Sequence, residues 1–364
     1  MADNNVVRLR MNDTPVQRAW RSVKGCQNYS TPVPISQAVA ECGADYSVRK
    51  DTLVRLSNDA IRAIKEGTDY TQFLDLKPKD IITSHMATVR DDNDITLGVV
   101  GSGYGVVQNA KAFEFIDIIT SGRLGGDAPI IETAGVLGVG ERMYVTARMP
   151  HNIQIGGNNK DVVEDYILFT NTHDGSGAVT VLFTPIRVVC ENTLNMALRE
   201  CKNKLIFKHT SKVNEHLDFS DEENLKKAKQ VLGLHGLYKQ NVEAYLNNLA
   251  KQSFTDAQIK ETVANVFLND AQMKLLKMAN MNIDSVEEIS TRAKNQIQDL
   301  RDTIENGVGQ EYWRGTKLWV YNGFTSFYNN NKTYKNGAEE RFNSLVDGDA
   351  YKKCQKAFDL LIAA

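Results

Sequence analysis

His173 and Asp174 stand side by side ahead of Gly175-Ser176-Gly177, and Cys190 and Asn192 follow a little further on. A histidine, a carboxylate and a thiol could serve as a base, its orienter and a nucleophile. The local pattern reads better as structure. Asp closes a turn through its own side chain and Gly supplies positive φ. An exposed turn does not exclude water, and Cys190 falls on an apolar stripe, where cysteine behaves as a small core residue. No residue is therefore assigned a catalytic role. The cationic residues form the stronger set. Arg142, Tyr144, Thr146 and Arg148 alternate with Met143, Val145, Ala147 and Met149, so one face of a strand packs a core and the other sets two guanidinium groups beside an aromatic ring. Arg187 and Arg199 share the polar side of an expected helix, and Lys202, Lys204 and Lys208 lie in the basic run CKNKLIFKHTSK. Cations interleaved with aromatics hold a phosphate backbone and stack on bases. Should these eight residues converge on one groove, its ligand is single-stranded nucleic acid. An ordinary strand face paired by Glu132 and a solvated basic connector account for the same residues equally.

Other site chemistries are poorly supplied. The six His have no ligand-like grouping, and Cys26, Cys42, Cys190, Cys201 and Cys354 are odd in number with no CxxC pair, which suits a reducing cytosol. Gly98, Gly101, Gly103 and Gly105 follow neither GxGxxG nor the phosphate-loop spacing, and no lysine stands where such a loop needs one; a kinked or bulged strand is the expectation. Neither a metal nor a cofactor is implied. The formal net charge of −2 argues against a globally basic nucleic-acid binder and leaves room for a local patch.

The elements that must position these residues follow from periodicity. Tyr166 to Asn171 is a short apolar run, His173 to Gly177 a turn and Ala178 to Phe183 the returning strand. Thr184-Pro185 has the form of an N-cap with proline at the first helical position, so a helix is expected there, with Ile186, Val189, Cys190, Thr193, Ala197 and Cys201 inward. Upstream, His85 to Val100 reads as a hairpin turned at Asp91 to Asp94, and Ile130 to Leu137 with Arg142 to Met149 as another. Ala110 to Ser121 is a core helix. From Asp221 onward the spacing is helical, with irregularities expected at Gly233 and Gly236, a helix capped by Asp284 and a Trp/Tyr/Phe-rich helix over Trp313 to Tyr328. The fold class is α+β: an antiparallel sheet of hairpins with packed helices, then an all-helical bundle. The expected divisions are a loosely attached arm over 1–31, a sheet domain over 32–215 and a helical domain over 216–364. No signal-peptide core and no run long enough to span a bilayer is seen, so a soluble cytoplasmic protein is expected.

YGVVQNAKAFEF (Tyr104 to Phe115), ETAG (Glu132 to Gly135), ERMYVTARMP (Glu141 to Pro150), TNTHDGSGAVTVLFTPIRVVCENTLNMAL (Thr170 to Leu198) and WVYNGFTSFYNN (Trp319 to Asn330) resemble the bacterial phage/plasmid-like family catalogued only as a domain of unknown function. Tyr144 departs from the tryptophan common at that place. The resemblance implies a gene carried by phages and plasmids, a bacterial host cytoplasm and no assigned reaction; Tyr104, Gln108, Asn109, Asn171, His173, Asp174, Gly175 and Asn192 are its motif residues, of unassigned role. A weaker likeness to single-strand annealing proteins of the Rad52 type, which place a hairpin sheet before a helix and form rings, is an analogy of fold alone. The expected functions are, in order, nucleic-acid binding in mobile-element replication or recombination, assembly as a homo-oligomer through an apolar patch on the C-terminal helices or interaction with a host, and hydrolytic catalysis.

Overall fold

The computed structural model describes residues 18–120, 128–157, 161–187, 192–194, 204–212 and 222–364. Its centre is an antiparallel sheet in the order β1 (Gln27–Asn28), β5 (Ile130–Leu137), β6 (Arg142–Arg148), β8 (Asp161–Thr172), β9 (Val179–Arg187), β10 (Asn192–Thr193), with β7 (Ile153–Ile155) also on β8 and β11 (Lys204–Phe207) on β9. A second sheet runs β2 (Val48–Val54), β3 (Ile81–Arg90), β4 (Thr96–Gly101). Helices α1 (Ile35–Glu41), α2 (Asn58–Glu66) and α3 (Asn109–Thr120) lie among the strands, and α4 (Glu222–Lys251), α5 (Asp256–Phe267), α6 (Asp270–Met278), α7 (Thr291–Asn306), α8 (Lys317–Ser326), α9 (Gly337–Val346) and α10 (Asp349–Ala363) make the C-terminal region. The chain is α+β, hairpin sheets first and helices after. Among the described residues no helix is long and apolar enough to cross a membrane.

Strand alternation gives the large sheet two covered faces. Val145, Ile167, Phe169, Val181 and Phe183 enter one core with Ile116 and Ile119 of α3 and Tyr238, Val242 and Leu246 of α4. Tyr144, Tyr166, Leu168, Leu182 and Ile186 face the other way, beneath Trp20, Val23, Phe342 and Val346. Gly135 lies directly opposite Tyr144 in the β5–β6 register, and a Cβ there would come within 2.7 Å of the tyrosine ring carbon Cζ. The glycine is what lets that ring lie across the neighbouring strand.

Several expectations are corrected. Thr184-Pro185 starts no helix: β9 continues to Arg187, and Pro185 sits opposite Asp165. The Asp165 carbonyl accepts from Met149 N on the other side of β8, and the Pro185 carbonyl accepts from Leu194 N. This pair therefore exchanges no hydrogen bonds between β8 and β9, and the missing proline N–H costs nothing there. Val189, Cys190, Ala197 and Cys201 lie outside the described residues. The segment that follows Gln17 is not loosely attached either: Ala19–Ser22 is a single 3-10 turn with Trp20 1% exposed, its ring 5.5 Å from that of Tyr166. α4 passes through Gly233 and Gly236 unbroken, held by its buried Tyr238, Val242, Leu246 and Leu249, since tertiary packing outweighs about 1 kcal/mol of propensity per glycine. Ser290, not Asp284, caps α7, and Trp313 belongs to a 3-10 turn separated from α8 by Gly315 in the left-handed region. Thr316 caps α8.

Candidate nucleic-acid interface

α9 covers the second face of the sheet only as far as Val346. Beyond its end the outer surface of β8, β9 and β11 is open, forming a cleft of about 440 Å³. In the sheet registers Thr170 pairs with Thr180, Leu182 with Lys204 and Thr180 with Ile206, so these side chains share one face and make the floor. Tyr104 and His209 form a wall, Lys208 lies at the rim and Val346-Asp347 closes the far side. The Tyr104 and His209 rings stack, centroids 4.6 Å apart and 16° from parallel. Tyr104 donates to Thr172 O at 2.8 Å, and burial pushes its phenol up. His209 Nδ1 is 3.0 Å from Gly105 O; a carbonyl only accepts, so Nδ1 carries the proton and Nε2 keeps its lone pair. Burial holds this imidazole below the usual range, against a smaller opposing effect of that bond to Gly105. Lys204 Nζ lies 4.9 Å over the Tyr351 ring. Among the described residues no carboxylate pairs with Lys208.

A second cleft of about 620 Å³ shares Asp347 and is lined by Glu141, Arg142, Asp174, Glu339 and Asn343. Its one cation among the described residues is occupied. Arg142 donates to Asn343 Oδ1 at 2.7 Å and to Asp347 Oδ2 at 3.2 Å.

The eight cationic and aromatic candidates do not gather around one groove. Tyr144 is buried under Trp20 and Phe342, its hydroxyl donating to Trp20 O. Arg187 and its partner Asp161 are both wholly buried, Nε to Oδ2 2.7 Å, with Trp313 Nε1 on the same oxygen at 2.7 Å. Neither Tyr144 nor Arg187 can touch a ligand: the strand face of Tyr144 that looks exposed in sequence is roofed by Trp20 and Phe342, and Arg187, expected on the polar side of a helix, ends β9 in a buried pair with Asp161. Arg148 is half-exposed at the edge of a carboxylate clamp, 4.0 Å from a Glu132 oxygen. That clamp also takes Arg21 at 2.6 Å and Arg18, which in turn reaches Glu164 at 2.7 Å and the Tyr166 hydroxyl. Arg199 and Lys202 lie outside the described residues. Lys204 and Lys208 are the two that meet at the cleft.

The motif residues form a buried polar joint between the two sheets. Asn109 Oδ1 accepts from His173 Nε2 at 2.9 Å and from Asn171 Nδ2 at 3.1 Å, while Asn109 Nδ2 donates to Ala44 O at 3.0 Å. Asn171 also donates to Val107 O at 2.9 Å, and the His173 carbonyl accepts from Thr88 Oγ1 at 2.7 Å. Burial, with His209 adding a smaller effect, pushes the His173 imidazole down to about 3, so it is neutral. Gln108 caps both Val48 N and Val48 O, at 2.9 and 2.7 Å. Asp174 Oδ1 accepts from Ser176 N at 2.9 Å and Gly175 has φ +79°. A Cβ on Gly98 would lie 2.5 Å from Asp174 Cα, so β4 takes the turn backbone in direct contact. Asn192 accepts from Asn330 Nδ2 at 2.8 Å, pinning β10 to the turn that follows α8. His173 is thus a structural histidine, with no access to a substrate.

A family model described as Domain of unknown function (DUF932) matches residues 96–346. The chain belongs to this family. The matched segment runs from the first residue of β4 to the last of α9 and holds the cleft wall and floor and the Asn109, Asn171 and His173 side chains of the polar joint. No curated protein and no solved structure matches the chain.

Sequence reasoning missed His209, Thr170, Thr180 and Asp347 as cleft residues. His209 sits inside the basic run, where its neighbours drew attention as charges; nothing in the spacing shows that its ring stacks on one a hundred residues earlier.

Proposed function

We propose that this DUF932 chain is a non-catalytic nucleic-acid-binding protein that holds a short length of single strand in the Tyr104–His209 cleft. Its setting in this reading is the replication or recombination of a phage or plasmid in a bacterial cytoplasm. One observation carries the reading: a stacked aromatic pair stands beside Lys204 and Lys208 on an open sheet surface. Bases stack on such platforms and lysines track the backbone. The cleft volume, within the roughly 300–1,000 Å³ of small-ligand sites, suits one or two nucleotides and no long tract. His173, the only histidine in a base-and-nucleophile arrangement by sequence, is buried and neutral, which disfavours hydrolysis.

Anisotropy of labelled DNA and RNA oligonucleotides across a salt series tests the proposal. Two lysine–phosphate contacts give a logarithmic salt slope of about −1.4, where a groove of all seven cationic candidates gives about −4.9. The double variant Lys204→Glu/Lys208→Glu is expected to weaken binding at low salt and to remove its negative salt slope. Absence of binding at low salt, or full binding by the double variant, sinks the reading.

A further inference from the structure

Tyr104 lines two hollows. Besides the cleft it shares with His209, it is a wall of a second one of about 380 Å³, bounded by Lys50 of β2, the Ser102-Gly103 turn and Ser211. The turn lies where β4 ends, within the run Gly98, Gly101, Gly103 and Gly105, and Tyr104 N closes it on Gly101 O at 2.9 Å. Gly98 is accounted for by its contact with the Asp174 backbone. Gly101 and Gly103 are not: neither has φ in the left-handed region, and a Cβ on either would meet nothing among the described residues within 4 Å beyond its chain neighbours. Backbone geometry and packing ask for no glycine at these two exposed places; what the absent side chains leave is bare main chain that a ligand can approach closely.

The lysine that the spacing of this run does not supply comes from another strand. Lys50 Nζ donates to Ser102 O at 3.2 Å and to Tyr104 O at 2.9 Å, which fixes the ammonium against the turn and leaves one of its three donors unused. Among the described residues no carboxylate pairs with it: Asp51, next along β2, takes the opposite face and is held by Arg49 at 3.0 Å. No acidic side chain lines the hollow, whereas Asp347 stands in the first cleft. The hydroxyls of Ser102 and Ser211 make no hydrogen bond among the described residues. An ammonium with a spare donor, two unengaged hydroxyls and open glycine backbone, with no opposing charge, are groups that hold phosphate oxygens. We propose that this hollow seats one phosphate of the strand bound at Tyr104, making Lys50 a third cationic contact beside Lys204 and Lys208. The inference rests on the nucleic-acid reading and extends its site: Tyr104 is the common wall, so a strand that crosses its ring passes from one hollow into the other.

Anisotropy of a labelled single-stranded oligonucleotide across a salt series, with the full chain and its variants, tests it. Three lysine–phosphate contacts give a logarithmic salt slope of about −2.1. Lys50→Gln should bring the slope to about −1.4 and weaken binding about eightfold at 0.05 M salt, the difference closing towards 1 M. Lys50 also ties down the turn, so Ser211→Asp is the second variant: its side chain is exposed and has no partner to lose, and a carboxylate set against the phosphate should weaken low-salt binding by a similar factor with the melting temperature within about 1 °C of the wild type. Should Lys50→Gln lose its folded far-UV spectrum, Ser211→Asp decides alone, and undiminished low-salt binding by it overturns the inference. A slope near −1.4 that Lys50→Gln leaves unchanged, while Lys204→Glu/Lys208→Glu removes it, overturns the phosphate seat and leaves the nucleic-acid reading standing. No binding by the wild-type chain at low salt overturns both.

Discussion

Replacing Arg187 by methionine should damage the fold and leave ligand binding intact, the reverse of what its place among the cationic candidates of the sequence suggests. The guanidinium and Asp161 are both wholly buried, and Arg187 also donates to Gly309 O at 3.0 Å and lies 5.7 Å from the Tyr312 ring centroid. Methionine fills much of the volume and deserts Asp161, which keeps Trp313 Nε1 as a donor and loses its counter-charge. Breaking a buried pair from one side costs about 3–5 kcal/mol. An unfolding entropy of about 2.1 cal/mol/K per residue, over a chain of 364 residues, makes a loss near 4 kcal/mol a fall of about 5 °C in melting temperature. Scanning calorimetry reads the fall and anisotropy with a labelled oligonucleotide reads the binding. Adding Asp161→Asn should recover most of the loss, because the stranded charge is then gone. A variant that melts within about 1 °C of the wild type while its oligonucleotide affinity drops tenfold would refute the assignment of Arg187 to the core.

Two further outcomes follow from buried groups. His173 is held neutral by burial, its folded value near 3 against 6.5 for the free side chain. Its contribution to stability is therefore complete above about pH 6.5 and falls by about 1.4 kcal/mol per pH unit until about pH 3, where the folded state also takes the proton; His173→Asn should flatten denaturant-unfolding stability over that window, and an unchanged profile counts against the buried neutral imidazole. Arg341 is 6% exposed, donates through Nη1 to Ser22 Oγ at 3.1 Å and, among the described residues, leaves Nε and Nη2 without hydrogen-bond partners. Burial pushes this guanidinium down to about 10, and Arg341→Met should raise stability by about 1–4 kcal/mol in the same measurement; a loss of that size means the charge is compensated.

What the sequence made legible is local. The turn at Asp91 to Asp94, the β5–β6 alternation, the Asp174 side-chain turn and the Thr255 capping box of α5 are each settled within a few residues, by geometry that short polar side chains and glycines enforce. Thr184-Pro185 shows how a local signal loses. A cap followed by proline is sound helix chemistry, yet β8 offers a long apolar partner and places the proline where the ladder asks for no donor. Trp20 shows the complementary failure: one aromatic in a polar stretch carries no periodicity, and its burial depends on Tyr166, Tyr144 and Phe342 from distant segments. The cleft was illegible for the same reason. Tyr104, Thr170, the segment 204–209 and Asp347 share no window, and only the tertiary fold brings them together.

The fate of the arginines bounds what the cleft can do. Arg18, Arg21, Arg142 and Arg187 are all engaged by carboxylates, and Arg148 faces one at longer range. Each is held at a junction: Arg142 joins β6 to the end of α9, Arg187 joins β9 to the turn before α8, and Arg18 joins the first described segment to β5 and β8. The planar fork of a guanidinium matches a carboxylate at two points, which makes it the better group for fixing one element against another, whereas a lysine is a compact charge on a flexible stem. The chain uses its described arginines in this region to hold layers together and leaves the lysines of β11 and its exit at the open surface. A near-neutral protein that spends guanidinium groups on internal joints has few phosphates within reach, so the single strand proposed to lie at Tyr104 and His209 would be gripped mainly by stacking, and its affinity should survive salt that strips proteins bound by charge.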